Sequence, residues 1–319
     1  MVEVSVILPN YNHKNYLKER IDSILNQTYQ DFELIILDDH SSDNSGEIIE
    51  LYRLDKRVSH IEYNAHNSGS PFRQWAKGIN LAKGSFIWIA ESDDSCEPTF
   101  LEKAIEKMKE YPSAGIVFSQ SIEFEVESGK SYSSFAGHNR FSKAFEHSYF
   151  NEGIREIAGK MVYENTIPNA SAVLFRKDIY LRTGGVEESM KLCGDWFLWI
   201  KMLLRSDIYF IAEPLNKFRL TPISVRAKHS KIDTFHERMT IFSFLSKNHV
   251  TGAGKAQIRM LKVLFNHYRI SNLGKPLETA MREKKNIQNS RLKIFCAIIL
   301  SLTDRIYNKI YSPARIQGA

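Results

Sequence analysis

The chain has 319 residues, 43% of them hydrophobic and 25% charged, with 9 Pro and 16 Gly, a composition that excludes collagen-like, low-complexity and disordered classes. Three cysteines (Cys96, Cys193, Cys296) are far apart and share no metal-ligand spacing, so they read as reduced thiols of a cytosolic protein. The net charge of +6 is uneven: from Val250 onward 13 Lys and Arg face 3 Asp and Glu, while the rest is slightly acidic, which points to an anionic surface near the tail and not to nucleic acid.

Val4–Pro9 is a short β-branched apolar run, the mark of a buried parallel strand. No basic, apolar leader precedes it, and no run of about 18 apolar residues follows that would span a bilayer. Leu17, Ile21, Ile24 and Leu25 fall at helical spacing, Phe32–Leu37 is a second buried strand, and Ser45 is the expected N-cap of a helix carrying Ile48, Ile49 and Tyr52. Val58–Tyr63 reads as a third strand, Phe72–Leu81 as a helix, and Phe86–Ala90 as a fourth strand. A helix from Thr99 to Tyr111 follows, then a strand at Gly115–Phe118. Four strand–helix units in about 115 residues predict an α/β, Rossmann-like, mostly parallel sheet flanked by helices. From Ile122 to Asn165 the pattern weakens into an excursion. Strands return at Ser171–Phe175 and Ile208–Ile211, separated by the Gly184-Gly185 turn and an apolar helix from Asp195 to Leu204. Beyond Val225 the pattern is helical and basic. The expected organisation is an α/β domain over 1–225, in two halves of about 1–120 and about 121–225, and a helical basic region over 226–319.

In parallel sheets ligands bind beyond the carboxyl ends of the strands, and there the polar clusters fall. Asn10, Asn12 and His13 follow the first strand, Asp38 and Asp39 the second, Asn67 the third, and Glu91-Ser92-Asp93-Asp94 the fourth. Alternating carboxylates on the last of these turns suit one hard cation, Mn²⁺ or Mg²⁺, that bridges nucleotide phosphates; the same residues also suit a solvated, helix-capping turn. Asp38 and Asp39 suit contact with a nucleoside, or local turn formation. Tyr11 suits stacking on a base, or packing. Asp195, opening an apolar helix, suits a general base or an N-cap.

Taken together, Val4–Asn12, Leu25-Asn-Gln-Thr-Tyr29, Phe32–Asp39 with Ser41 and Asp43, Asn67-Ser-Gly69, Ala82-Lys-Gly84, Ile89–Asp94, Gly184-Gly185 and Gly194–Trp199 resemble the family-two inverting glycosyltransferases of the GT-A fold, in order from about Val2 to Arg226. The resemblance implies a nucleotide-diphosphate sugar donor, usually UDP-linked, a Mn²⁺ or Mg²⁺ ion, and a glycan or lipid-linked oligosaccharide acceptor in bacterial surface polysaccharide synthesis. By position it implies donor contacts at Pro9, Tyr11, Asp38, Asp39, Asn67, Arg73, Lys77, Glu91, Ser92 and Asp93. It implies metal ligation by Asp93 and Glu91, and a catalytic base at Asp195. Arg219 falls in the stretch that often reads Tyr-Arg-x-His. This chain departs from the pattern at Glu91 (usually Asp), His40 (usually Gly), Ala76-Lys77-Gly78 (usually Ala-Arg-Asn) and Thr221 (often His, with His229 as a remote substitute).

In the tail, Arg282, Lys284, Lys285, Arg291 and Lys293 precede the apolar run Ile294–Leu300. That pattern suits a helix lying in the interface of an anionic leaflet, and equally a core-packed helix with solvated cations. The expected location is cytoplasmic, peripheral to the inner membrane face. Three rivals are weighed against transfer. A catalytically degenerate sugar-binding relative is motivated by Glu91 and Thr221. A sugar-phosphate nucleotidyltransferase would need a Gly-rich loop after the first strand, and Pro9–His13 has none. A nicotinamide-type oxidoreductase would need Gly-x-Gly-x-x-Gly after a strand, which is missing as well.

Overall fold

β-Branched and leucine-rich segments with no polar alternation bury both faces, and the first two strands do so along their full length: β1 (Val4–Asn10) and β2 (Phe32–Asp38) are buried at every residue. The computed structural model describes residues 2–126, 128–133, 142–167, 169–220 and 231–254. Among them follow α1 (Lys14–Leu25), α2 (Ser45–Glu50), β3 (Val58–Tyr63), α3 (Pro71–Leu81), β4 (Phe86–Ile89), β5 (Ser95–Cys96) and α4 (Phe100–Glu110). Next come β6 (Ala114–Glu125), β7 (Ser131–Ser133), β8 (Tyr149–Asn151), α5 (Gly153–Glu156), β9 (Val173–Arg176), α6 (Lys177–Arg182), α7 (Gly194–Leu203), β10 (Asp207–Leu220) and α8 (Lys231–Lys247).

All the strands join one sheet of order β3-β2-β1-β4-β9-β6-β10-β5, with β7 on β6 and β8 on β10. The first four are mutually parallel, as alternating strand and helix patterns predict. Beyond β4 the sheet becomes mixed, because β9 runs antiparallel to both β4 and β6. Helices α1 and α4 cover one face through Leu17, Ile21, Ile24, Phe100, Ala104 and Met108, packed on Trp88 and the β1–β2 aliphatics. On the other side α3 lies so close to β1 that a Cβ on Gly78 would sit 2.4 Å from the Ile7 side chain, which explains glycine at that departure from the family pattern.

Two strands are longer than their apolar runs. β6 continues through Glu125 into the expected excursion, and β10 has 14 residues instead of the four at Ile208–Ile211. The physical reason is a buried polar knot. Asn216 and Asn169 both donate to Ser121 Oγ (3.2 and 3.3 Å), and Asn216 also donates to Asn169, so polar residues sit inside a strand with their partners beside them. β10 is interrupted by register shifts around Pro214, where a strand tolerates a missing N–H. The N-cap of α2 is Asn44, not Ser45; the Asp43 carboxylate accepts from the Ser45 N–H (3.1 Å) and hydroxyl (2.5 Å). The described residues, α8 included, belong to one compact unit. Thr221, His229, Cys296 and the basic apolar tail lie outside the described residues.

Candidate active site

The carboxyl ends of β1, β2 and β4 gather the polar groups. Ile7 O accepts from Ala90 on the β4 side and Asn10 O accepts from Asp39 on the β2 side. The alternation therefore turns Pro9 toward β4, whose ladder ends at Ile89, and its missing N–H leaves no broken pair. Asn10 donates to Asp38 Oδ1 (2.7 Å) and to Ser41 Oγ (3.1 Å), while Asp38 also receives the Ser41 hydroxyl (2.6 Å) and N–H (2.9 Å). Asp39 is more heavily engaged. Its oxygens accept from Asn64, the Ser68 N–H, the Ser68 hydroxyl and Gln74, all within 2.6–2.9 Å, which fills a carboxylate's acceptor capacity. Asn67 donates to Asp39 O (2.9 Å). Asp39 thus ties the 64–70 loop to the start of α3, and Tyr11, 45% exposed, follows Asn10 at that floor.

The Glu91–Asp94 turn is pinned at both ends, by β4 before it and by β5, which pairs with Asn216 and Lys217 of β10, after it. Glu91 Oε1 accepts from Trp75 Nε1 on α3 (2.8 Å), and the Glu91 N–H donates to Ser171 Oγ (3.1 Å). Asp94 accepts the Arg219 N–H (3.0 Å). The Arg219 side chain donates to Asp93 O (2.9 Å) and Glu19 (2.8 Å) and lies over Tyr16 at 4.7 Å. Ser92 Oγ is 2.8 Å from His13 Nδ1, and His13 Nε2 reaches within 4.0 Å of Asp93 Oδ2. Burial, and then the Asp93 charge, push the Glu91 carboxyl up to about 8. Burial likewise raises Asp93 and Asp94. Arg20, fully buried with its guanidinium 4.9 Å from the Trp88 ring, offsets part of this repulsion.

That electrostatic state bears on the implied cation. Among the described residues no group of three or more His, Cys, Asp or Glu side chains is arranged to hold a metal by itself. Mn²⁺ and Mg²⁺ do not require one: they take one or two carboxylates and fill the remainder with phosphate and water oxygens. Partly exposed Asp93, with Glu91 raised by burial and then by the Asp93 charge, fits that donor set.

Arg73 and Lys77, on α3, are committed to neighbours. Arg73 donates to Ser68 O (2.8 Å), and Lys77 donates to Asn64 (2.8 Å) and pairs with Glu62 (2.6 Å). Asp195 sits in the first turn of α7, whose N-cap is Cys193; the capping alternative for Asp195 is therefore not what the fold uses. Its Oδ2 accepts from Asn165 (3.0 Å) and its Oδ1 from the Trp196 N–H (2.7 Å). One turn on, Trp199 packs against Trp75 (6.4 Å between rings), the residue that holds Glu91. Gly194 lies against α3 with no room for a side chain, since a Cβ would meet Phe72 at 2.6 Å. Helix α3 is thus wedged between the acidic turn and the helix of Asp195. Trp75 and Asn165 escape sequence reading because a helical tryptophan looks like core and an irregular-loop asparagine like surface. A separate cleft of about 1010 Å³ opens at the amino ends of the strands, by Gly84, Ser113 and Asp207. Its Arg176 and Lys177 are turned to backbone carbonyls, and it is remote from these carboxylates.

The mixed sheet with carboxylates at its strand ends is that of the GT-A fold. The chain belongs to glycosyl transferase family 2, whose sequence profile matches residues 5–176. It is 27% identical over 250 residues to the glycosyltransferase GlyA of Streptococcus pneumoniae, covering 76% of this chain and 35% of that protein. It is 35% identical over 130 residues to GlyG of the same organism, covering 40% and 42%. It is 36% identical over 108 residues to the putative teichuronic acid biosynthesis glycosyltransferase TuaG of Bacillus subtilis, covering 34% and 42%. The aligned segments thus span well under half the length of these relatives. Among solved structures, S. aureus TarS 1-349 in complex with UDP-GlcNAc superposes with a TM-score of 0.64 at 18% identity, covering 92% of this chain and 79% of that one. The mannosyltransferase PcManGT of Pyrobaculum calidifontis, in complex with GDP-Man and Mn²⁺, gives 0.56 at 13% identity, covering 98% and 88%. These likenesses are likenesses of fold. No helix among the described residues is long and apolar enough to cross a membrane.

Proposed function

We propose that this protein transfers one sugar from a UDP-linked donor to a hydroxyl of a glycan or lipid-linked oligosaccharide, with inversion at the anomeric carbon and with a divalent cation, in bacterial surface polysaccharide synthesis. The observation that carries the reading is the convergence just described: the Glu91–Asp93 turn and Asp195 stand on either side of α3, joined through Trp75 and Trp199. The TarS complex with UDP-GlcNAc, the PcManGT complex with Mn²⁺ and the name of TuaG support the donor, metal and polysaccharide parts.

In this scheme Tyr11 stacks on the base, and Asn10, Asp38, Asp39 and Asn67 form a pre-organised floor that costs little to order on binding. Asp93, with Glu91 beside it, would hold a divalent cation, which would supply positive charge to offset that of the departing diphosphate. His13, oriented by Ser92, and Arg73 at the exposed end of α3 add donors at the same edge. Asp195, oriented by Asn165, takes the proton of the acceptor hydroxyl as it attacks. A single base opposite the leaving group makes one displacement, hence inversion. The tail beyond Val250, with its excess of Lys and Arg, contacts an anionic membrane face.

The test is calorimetric titration of UDP and GDP with Mn²⁺ and with EDTA, on wild type and Asp93→Ala. UDP binding that needs Mn²⁺ and disappears in Asp93→Ala is expected. Failure of both nucleotides to bind under every condition overturns the proposal and favours the degenerate relative.

A further inference from the structure

The segment leading into Asp195 is held from outside the family match. Glu237, on α8, accepts three successive backbone N–H groups: Lys191 (2.7 Å), Leu192 (3.0 Å) and Cys193 (2.7 Å). Consecutive amides converging on one carboxylate make an anion nest of charge-assisted bonds. Those bonds fix the backbone of the three residues that precede α7. Helix α8 does not hang loosely there. Met239, Ile241, Phe242 and Leu245 are buried; Phe242 packs edge-on against Trp196, and Phe244 against Phe197 at 5.0 Å. The Arg238 guanidinium lies 5.6 Å from the Trp196 ring. On the opposite flank Gly194 abuts Phe72, and the Ser70 hydroxyl reaches Glu188 O and Met190 O (3.3 and 3.4 Å). Burial, and then the Asp195 and Glu237 charges, push the Cys193 thiol up to about 12.

We propose that Glu237 is a positioning residue for transfer: through its three amide bonds it fixes the entry to α7 and thereby the aim of Asp195. The inference rests on Asp195 being the base. It makes α8 part of the catalytic unit, since α8 carries the carboxylate that holds the entry to α7.

The experiment measures UDP release from UDP-glucose, UDP-galactose, UDP-GlcNAc and UDP-GalNAc with water as acceptor, for wild type, Glu237→Gln, Glu237→Asp, Asp195→Asn and the Glu237→Gln/Asp195→Asn double variant. A carboxamide offers one acceptor oxygen and turns donors toward donors. Glu237→Gln should therefore lower kcat about 10- to 100-fold, the cost of a small misplacement of a reacting group, with donor KM and UDP affinity within about two-fold. Glu237→Asp should fall between it and wild type. In the Asp195→Asn background Glu237→Gln should have no further effect, because the two act in series. Additive losses, or an unchanged kcat in Glu237→Gln, overturn the latch. Wild-type turnover in Asp195→Asn instead overturns the base on which it rests. Hydrogen exchange on the wild-type protein needs no folded variant: the Lys191, Leu192 and Cys193 amides should be protected like those of α7, and exchange at the rate of an open loop overturns the latch as well.

Discussion

At the ends of β1 and β2, Asn10, Asp38, Ser41, Asp39, Ser68 and Gln74 hydrogen-bond one another within the first quarter of the chain. Asp195, by contrast, is set in place by Asn165, Phe72 and Glu237, from three distant parts of the sequence. The edge proposed to take the nucleotide is tied together by its own side-chain bonds between the first two strand ends and the 64–74 segment. The proposed base is only as well placed as the packing of α3, α7 and α8. Damage to the two regions should therefore have different signatures, in binding for the first and in turnover for the second.

The largest effect separates them directly. Asp195→Asn should lower the transfer rate by about 10²- to 10⁴-fold, the usual worth of a general base, while Mn²⁺-dependent UDP affinity stays at the wild-type value. Asp93→Ala should abolish that affinity in calorimetry. If both variants lose UDP binding, the two regions are one cooperative unit and the contrast fails.

A pH experiment sharpens the nucleotide side. Glu91 holds its proton to about 8 in the folded protein, through burial and the Asp93 charge, against 4.5 ordinarily. Between those values the unfolded chain has released the proton and the folded one has not. Stability without metal should then fall as pH rises from about 4.5 to about 8. Glu91→Gln should flatten that slope and raise the metal-free Tm at pH 8, by about 2–4 °C for each kcal/mol recovered. Thermal melts of both proteins at intervals from pH 4.5 to 8.5 check the sign; a wild-type Tm that climbs through this window would contradict it.

Close approaches come next. Gly194→Ala places a methyl 2.6 Å from Phe72, and Gly78→Ala places one 2.4 Å from Ile7. Each should cost about 1–3 kcal/mol by overpacking, read as a drop in the urea midpoint. Only Gly194→Ala should also slow transfer beyond its loss of folded protein, because only it shifts the turn that carries Asp195.

The same contrast governs what the sequence discloses. Strands β1 to β4 and their acidic ends are legible because continuous apolar runs, turn residues and local capping all act over short separations. The far strands are not. Ser121, Asn169 and Asn216 break the apolar run of β6 and β10 while satisfying one another across 48 and 95 residues. The role of Trp75 as donor to Glu91 is invisible for the same reason. Family resemblance supplies Asp195, but nothing in its neighbourhood names Glu237 as the carboxylate that ties down the preceding amides.

The smallest effect tests the local rules themselves. His40 has φ +64°, a left-handed conformation that favours glycine, the residue usual at this place in the family. The conformation is forced by the turn across it, in which Asp38 accepts the Ser41 N–H and hydroxyl. Asn12, also left-handed at φ +57°, earns its place differently: its side-chain oxygen accepts the Ser42 N–H at 2.7 Å. His40 is exposed and only tilts against His66, with 6.2 Å between rings. His40→Gly should relieve about 1 kcal/mol of backbone strain and give back part of it as the greater freedom of the unfolded chain. The net gain should be a few tenths of a kcal/mol, a Tm rise of about 1–2 °C, with UDP affinity unchanged. Asn12→Gly should lose the Ser42 bond and lower Tm instead. Two glycines at two left-handed positions of one edge, moving stability in opposite directions, would show that the floor of the nucleotide site is fixed by its own side-chain bonds. A fall in UDP affinity in His40→Gly would show instead that the imidazole belongs to the site.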